Sequence, residues 1–180
     1  MSIAIRDIEI KDLDDYLYWM MPEREHHKYN GPYFKSDTEE ELRAYVEEVR
    51  EKLEKKADKP FGNKKMIVDA NTDEIIGVIS WHWRSQETLW MEIGLIVFNE
   101  GYWGRGIGTM AMKKWISQMF DEHKEIVRLG FTTWSGNIGM CKVGEKLGLV
   151  EEARYRKARV VNGEYYGSVS YGVLREEWQG

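Results

Sequence analysis

The sequence has one cysteine, three prolines and no long apolar run. A lone cysteine, Cys141, excludes an intramolecular disulfide and points to a reducing compartment. No stretch approaches the ~20 apolar residues of a membrane span. The opening MSIAIRDIEI lacks the apolar core of a signal peptide, because Arg6 and Asp7 interrupt it. A cytoplasmic protein without a membrane partner is therefore expected. Basic residues are also in deficit: 26 Lys and Arg stand against 31 Asp and Glu, a net charge of -5. With no concentrated basic stripe, nucleic-acid binding is not expected. A cationic partner, such as an amine, suits the sign of the charge. HExxH, GxSxG and the P-loop GxxxxGK[ST] are missing as well, so no metal site, serine nucleophile or Walker-type phosphate loop is expected. Cys141 reads as a helix packing residue.

What is present suits one domain over residues 1–180. Hydrophobic residues make up 42% of the chain and charged residues 32%, as in a protein with a substantial core. Ile3 to Ile10 alternates as a strand. Asp12 precedes a helical stripe of Leu13, Tyr16, Leu17 and Met20. After a loop from Met21 to Lys35, Ser36 and Glu39 give a capping-box pattern before a second amphipathic helix carrying Leu42, Tyr45, Val46, Val49 and Leu53. Three strands joined by short turns follow, at Lys65–Ala70, Ile75–Arg84 and Thr88–Phe98, and such turns imply an antiparallel meander. A glycine-rich turn leads to a helix from Ile107 to Phe120. A strand from Val127 to Thr133 and a helix from Asn137 to Leu147 come next, the helix stopped by Gly148. Asn162-Gly163 then closes a hairpin between Arg156–Val161 and Glu164–Val173. The expected fold is mixed α+β, a mostly antiparallel sheet of about seven strands flanked by about four helices.

The turn Trp103-Gly104-Arg105-Gly106-Ile107-Gly108 sits between a strand and a helix. Glycines there let several N–H groups converge, and the helix start adds the positive end of its dipole. That combination suits a pyrophosphate, with Arg105, Lys113 or Lys114 available for added charge. Gly106, Gly108 and Ala111 also fit the dinucleotide fingerprint GxGxxA. That fingerprint belongs in a βαβ unit with an acidic residue ending the next strand, whereas here the next strand ends in Thr132, Thr133 and Trp134.

EIGLIVFNEGYWGRGIGTMAMKKW resembles the acetyl-CoA-binding motif of the GNAT superfamily of N-acetyltransferases, [Q/R]-x-x-G-x-[G/A] after a strand. Gly106 and Gly108 hold its glycine positions, and Trp103 replaces its Gln or Arg. NIGMCKVGEKLGL resembles a second family segment, with Asn137 at the Asn position. RYRKARVVNGEYYGSVSYGVLREEW resembles the final hairpin of the branch containing ribosomal-protein-alanine acetyltransferases. The resemblance covers essentially the whole chain. It implies acetyl transfer from acetyl-CoA to a primary amine by direct attack in a ternary complex. The acceptor is a peptide N-terminus or a small molecule such as a polyamine, amino acid or aminoglycoside. A non-catalytic acyl-CoA-binding module is the alternative from another class, and an added strand or exchanged hairpin would allow a homodimer.

By the same resemblance, Leu95, Ile96 and Val97 offer backbone groups to the cosubstrate at a strand bulge, unless they form an ordinary buried strand. The diphosphate falls to residues Trp103, Gly104, Arg105, Gly106, Ile107, Gly108 and Thr109. Asn137 is expected to bond the pantetheine arm, to cap its helix, or both. From the residues alone, Glu92 shares a strand face with Gly94, opposite the apolar Leu89, Met91, Ile93, Leu95 and Val97. A mid-sheet carboxylate there is either a general base or half of a cross-sheet ion pair, Arg84 being the candidate partner. Many relatives carry a Tyr acid where this chain has Gly144; Tyr155, Tyr165 and Tyr166 are the possible substitutes. His26, His27 and Tyr33, in the early loop, are candidates for the substrate wall or for plain loop surface.

Overall fold

Apolar alternation along the strands sets the architecture, and the computed structural model describes residues 1–180. The elements run β1 (Ile3–Arg6), α1 (Leu13–Met20), α2 (Glu39–Glu54), β2 (Lys64–Asp69), β3 (Ile75–Ser85), β4 (Trp90–Val97), α3 (Ile107–Glu122), β5 (Arg128–Trp134), α4 (Ile138–Lys146), β6 (Val150–Val161) and β7 (Glu164–Leu174). One seven-stranded sheet has the order β1-β2-β3-β4-β5-β7-β6. Every neighbouring pair is antiparallel except β4 and β5, which are parallel. The element order and the meander match the sequence reading. No helix is long and apolar enough to cross a membrane.

The two sheet faces carry separate cores. Met91, Ile93, Leu95 and Val97 of β4 face α3 and α4, where Met112, Trp115, Ile116 and Cys141 pack. Ile96 and Val78 face the opposite side, against Leu13 and Tyr16 of α1 and Val46 and Val49 of α2. Each fully buried apolar side chain contributes about 1.5–3 kcal/mol. Both cores therefore hold the sheet firmly where helices cover it.

Two local expectations change. The cap of α2 is Thr38, not Ser36: its Oγ1 accepts from Glu41 N at 3.2 Å, and Glu41 Oε2 accepts from Thr38 N at 2.7 Å. Thr38 and Glu41 have the same spacing as Ser36 and Glu39, so the pattern allows either start. The final hairpin begins earlier than expected, at Val150, because all of β6 pairs along β7 except at two irregularities, 151/153 and 155/159. Asn162 and Gly163 both take positive φ, 51° and 82°, as a type I′ turn requires. Gly148, at φ 70°, ends α4.

The feature that positions the site is a fork. β4 and β5 pair only at Met91 with Leu129 and Glu92 with Gly130. Beyond that point β4 continues to Val97 and β5 to Trp134 without a shared ladder.

Candidate active site

The fork opens into a cleft of about 350 Å³ bounded by β4, the turn before α3, α4 and the early loop. Leu95, Ile96 and Val97 form its β4 wall, as expected. The expected bulge there is absent. Residues 91–97 pair regularly with β3, and the register shift falls at Trp83/Ser85 instead. On the other side the departure of β5 leaves the outward backbone groups of Leu95 and the N–H of Val97 without a strand partner, whereas the Ile96 backbone faces β3.

At one end of the cleft lies the glycine turn. Gly104 and Gly106 adopt φ 74° and 82°, a left-handed conformation that costs a residue with a Cβ. Gly106 is the N-cap of α3, and the helix has no acidic residue in its first turn to occupy its free N–H groups. Gly104, Gly106, Ile107, Gly108 and Thr109 all line the cleft. Trp103 lines it as well, and its indole explains the departure from the family motif. Nε1 donates to Val97 O at 2.9 Å, so the turn is tied to the end of β4. Arg105 is exposed and does not line the cleft. Lys114 is engaged elsewhere, donating to Ile3 O at 3.0 Å. The cations that do line the cleft are Lys142 and Lys146, one turn apart on α4. Their i, i+4 spacing was the available signal.

Asn137 lines the cleft while both ends of its amide are occupied. Oδ1 accepts from Met140 N at 3.1 Å, capping α4, and Nδ2 donates to Tyr29 O at 3.3 Å. Trp134 Nε1 donates to the same carbonyl at 2.8 Å. The Tyr29 ring stands edge-on to Trp103 at 5.3 Å. The early loop therefore straps the two prongs of the fork together.

The early-loop candidates separate. His26 is 3% exposed and lines the cleft. Nε2 donates to Trp19 O at 2.7 Å, which leaves Nδ1 as an acceptor, buried and without a partner. Burial, helped by His27 and Arg24, pushes its pKa down to about 4. His27 bonds Met20 O at 3.1 Å and packs against His26, outside the cleft lining. Tyr33 lies beneath the Arg159 guanidinium at 4.8 Å, also outside it.

Glu92 lies at the apex of the fork, 6% exposed. Oε1 accepts from Thr132 Oγ1 at 3.2 Å, and Oε2 lies 3.9 Å from His82 Nε2. The cross-sheet partner is thus His82, not Arg84, whose guanidinium lies over Trp90 at 5.8 Å. Between Glu92 and the cleft wall at Ile96, the same strand face holds only Gly94, whose nearest neighbour would be Ser80 Oγ at 3.7 Å from an added Cβ. On that face no β4 side chain stands between the cleft wall and the carboxylate.

Position 144 has no room for a Tyr. An added Cβ would already lie 2.8 Å from the Tyr171 ring and 3.2 Å from Phe131. Tyr155, Tyr165 and Tyr166 do not line the cleft; the phenols that do are Tyr29 and Tyr102, beside Trp103.

A glycine turn at the head of a helix whose first N–H groups are free, set at the mouth of a forked mixed sheet, suits a phosphate-bearing ligand. The chain belongs to the acetyltransferase (GNAT) domain family, whose pattern it matches over residues 2–150. YdaF of Bacillus subtilis (strain 168), provisionally named a ribosomal N-acetyltransferase, is 35% identical over 106 residues. That match covers 59% of this chain and 57% of YdaF, so the chain spans little more than half the length of that relative. A GNAT-family acetyltransferase from Bacillus anthracis has the same fold, with a TM-score of 0.76 and 24% identity over 98% of this chain and 97% of that one. So does spermidine N-acetyltransferase from Vibrio cholerae, solved with CoA and spermine, with a TM-score of 0.74 and 15% identity over 99% and 98%.

Proposed function

We propose that the protein is an acetyl-CoA-dependent N-acetyltransferase whose acceptor is a primary amine, attacking directly in a ternary complex. The observation that carries this reading is the fork. The glycine turn and residues 95–97 line one cleft, and buried Glu92 lies on the strand face of Ile96 with only Gly94 between them. The residues fit the cosubstrate: convergent amides, a helix start free of acidic side chains, and two lysines on the facing helix. Bound acetyl-CoA would supply an activated acetyl thioester.

The chain's own residues meet the other needs. Residues 104–109 hold the diphosphate, with Lys142 and Lys146 adding charge. The outward backbone groups of Leu95 and the N–H of Val97 are available to the amide-bearing arm. Glu92 takes the proton that an amine with a pKa of ~10.4 carries at neutral pH. Asn137 holds the strap in place through Tyr29, and any contact of its own with the arm requires release of that bond.

The relatives' names supply two acceptor classes. The YdaF name points to a ribosomal acceptor, and the Vibrio cholerae enzyme to a polyamine. Both are cationic amines, in keeping with a chain of net charge -5. Incubation with acetyl-CoA and a panel of alanine-terminated peptides, spermine, amino acids and aminoglycosides, followed by thiol release, tests the proposal. Acceptor-dependent release is expected from at least one class. A thermal shift with acetyl-CoA but no release across the panel would favour a non-catalytic acyl-CoA-binding module, a reading motivated by Gly144 at the position where many relatives carry a Tyr.

A further inference from the structure

At the level of Glu92, four strands carry a row of polar side chains on one sheet face. His82 on β3 is directly opposite Glu92 on β4, and Thr132 on β5 is directly opposite Ser170 on β7. The contacts run from Ser170 Oγ to Thr132 Oγ1 at 3.0 Å, on to Glu92 Oε1 at 3.2 Å, and from Oε2 to His82 Nε2 at 3.9 Å. Glu92 is closed in, with 7% of its side chain exposed, whereas the side chain of His82 is 62% exposed. The exposure has a structural cause: the β2 ladder ends at Lys64 opposite Ser80, two residues short of His82.

We propose that His82 is the outlet for the proton that Glu92 removes from the acceptor amine. This rests on the reading of Glu92 as the base. A buried carboxylate that has taken a proton must lose it before the next turnover. Imidazole is the side chain that gains and loses a proton in the neutral range.

The accounting closes on two protons. The ammonium N–H bond breaks and an O–H bond forms on Glu92; once side-chain rotation closes the 3.9 Å between Oε2 and Nε2 to hydrogen-bond distance, that proton passes to His82 Nε2, giving an imidazolium that releases it to water. The neutral amine nitrogen then bonds the acetyl carbon as the carbon–sulfur bond breaks, and its second proton ends on the sulfur. The products are the amide, the free thiol and one proton in solution.

The other charged groups on this face are Lys64, Arg84 and Arg128, the last standing over Gly130 directly opposite Glu92. Lys64 on β2 bonds Tyr45 OH at 3.2 Å. Arg84 lies over Trp90, and so does Arg128 of β5, at 5.8 and 5.4 Å. Arg128 is also paired with Glu152 of β6. Among the ion pairs of the molecule, His82 is the basic partner of Glu92. His82 acts through Glu92 and not on the substrate, so its loss should slow turnover without weakening acetyl-CoA binding.

The experiment compares His82→Ala, His82→Gln and Glu92→Gln with the parent, using spermine and an alanine-terminated peptide as probe acceptors across the neutral pH range. Both His82 variants are expected to lower kcat on the order of tenfold. The KM for acetyl-CoA should stay unchanged, and added imidazole should restore His82→Ala in proportion to its concentration. Unchanged kcat in both His82 variants, or a loss that imidazole does not restore, overturns the outlet while an inactive Glu92→Gln keeps the base. Full turnover by Glu92→Gln removes the base assignment and this proposal with it.

Discussion

Thr132 and Glu92 stand on opposite prongs of the fork, and the Thr132 hydroxyl donates to Glu92 Oε1 across 3.2 Å just beyond the last backbone pairing of β4 with β5. That bond continues the ladder by one side-chain rung and fixes the carboxylate at the apex. It also leaves the second oxygen free to face His82.

Glu92→Gln keeps the shape and the Thr132 bond but removes the basic oxygen. Turnover is expected to fall by about 10²-fold or more, within the range for a positioned base. The dissociation constant for acetyl-CoA should not move. Steady-state kinetics beside calorimetric binding would check both halves. Equal losses in binding and turnover would mean that Glu92 shapes the cleft.

Gly106→Ala places a Cβ at φ 82°, where no atom lies within 4 Å. The cost is conformational, about 1 kcal/mol. Gly163→Ala, at the same φ in the hairpin turn and equally uncrowded, serves as the comparison. Both should lower Tm by similar amounts. Only Gly106→Ala should also weaken CoA binding several-fold, because the proposed diphosphate site is built on the N–H groups of this turn.

Lys142→Ala and Lys146→Ala should each weaken CoA binding by about three- to tenfold at low ionic strength, and by less in 0.5 M salt, since exposed charges are screened within roughly 10 Å at 0.1 M. kcat at saturating CoA should be unchanged. A salt titration of the affinity distinguishes this electrostatic role from a packing role, which salt would not relieve.

His26 ties stability to pH. Its folded pKa of about 4 lies below the ordinary value of 6.5, so between those limits the unfolded chain binds a proton that the folded protein refuses. The folded state is therefore destabilised as pH falls from about 7 to about 4, on the order of 1 kcal/mol after allowance for solvent screening. His26→Gln should flatten that part of the Tm-versus-pH curve relative to the parent. Parallel curves would show that the imidazole does not contribute.

Sequence alone revealed the elements with strong periodicity or punctuation. α3 followed its glycine turn, the hairpin followed Asn162-Gly163, and alternation put Glu92 and Gly94 on the face away from the apolar one. Three things depended on tertiary placement. Lys142 and Lys146 reach the cleft only because α4 packs beside α3, which their sequence positions do not reveal. His82 gained meaning from cross-strand register, which a sequence does not print. The free edge of β4 at Leu95 and Val97 came from the divergence of β5 and not from a bulge within β4. The family motif identified the turn, but Trp103 made sense only once its indole was seen holding Val97.

The central claim is that the cosubstrate runs through the fork from the amide-lined turn to Glu92. A crystal structure of the protein soaked with CoA tests it most directly. The diphosphate should rest on the N–H groups of residues 104–109, with the arm along Leu95–Val97 and the sulfur at Gly94, next to Glu92. Density for CoA outside the fork, or in the fork with its sulfur directed away from Glu92, would contradict the account.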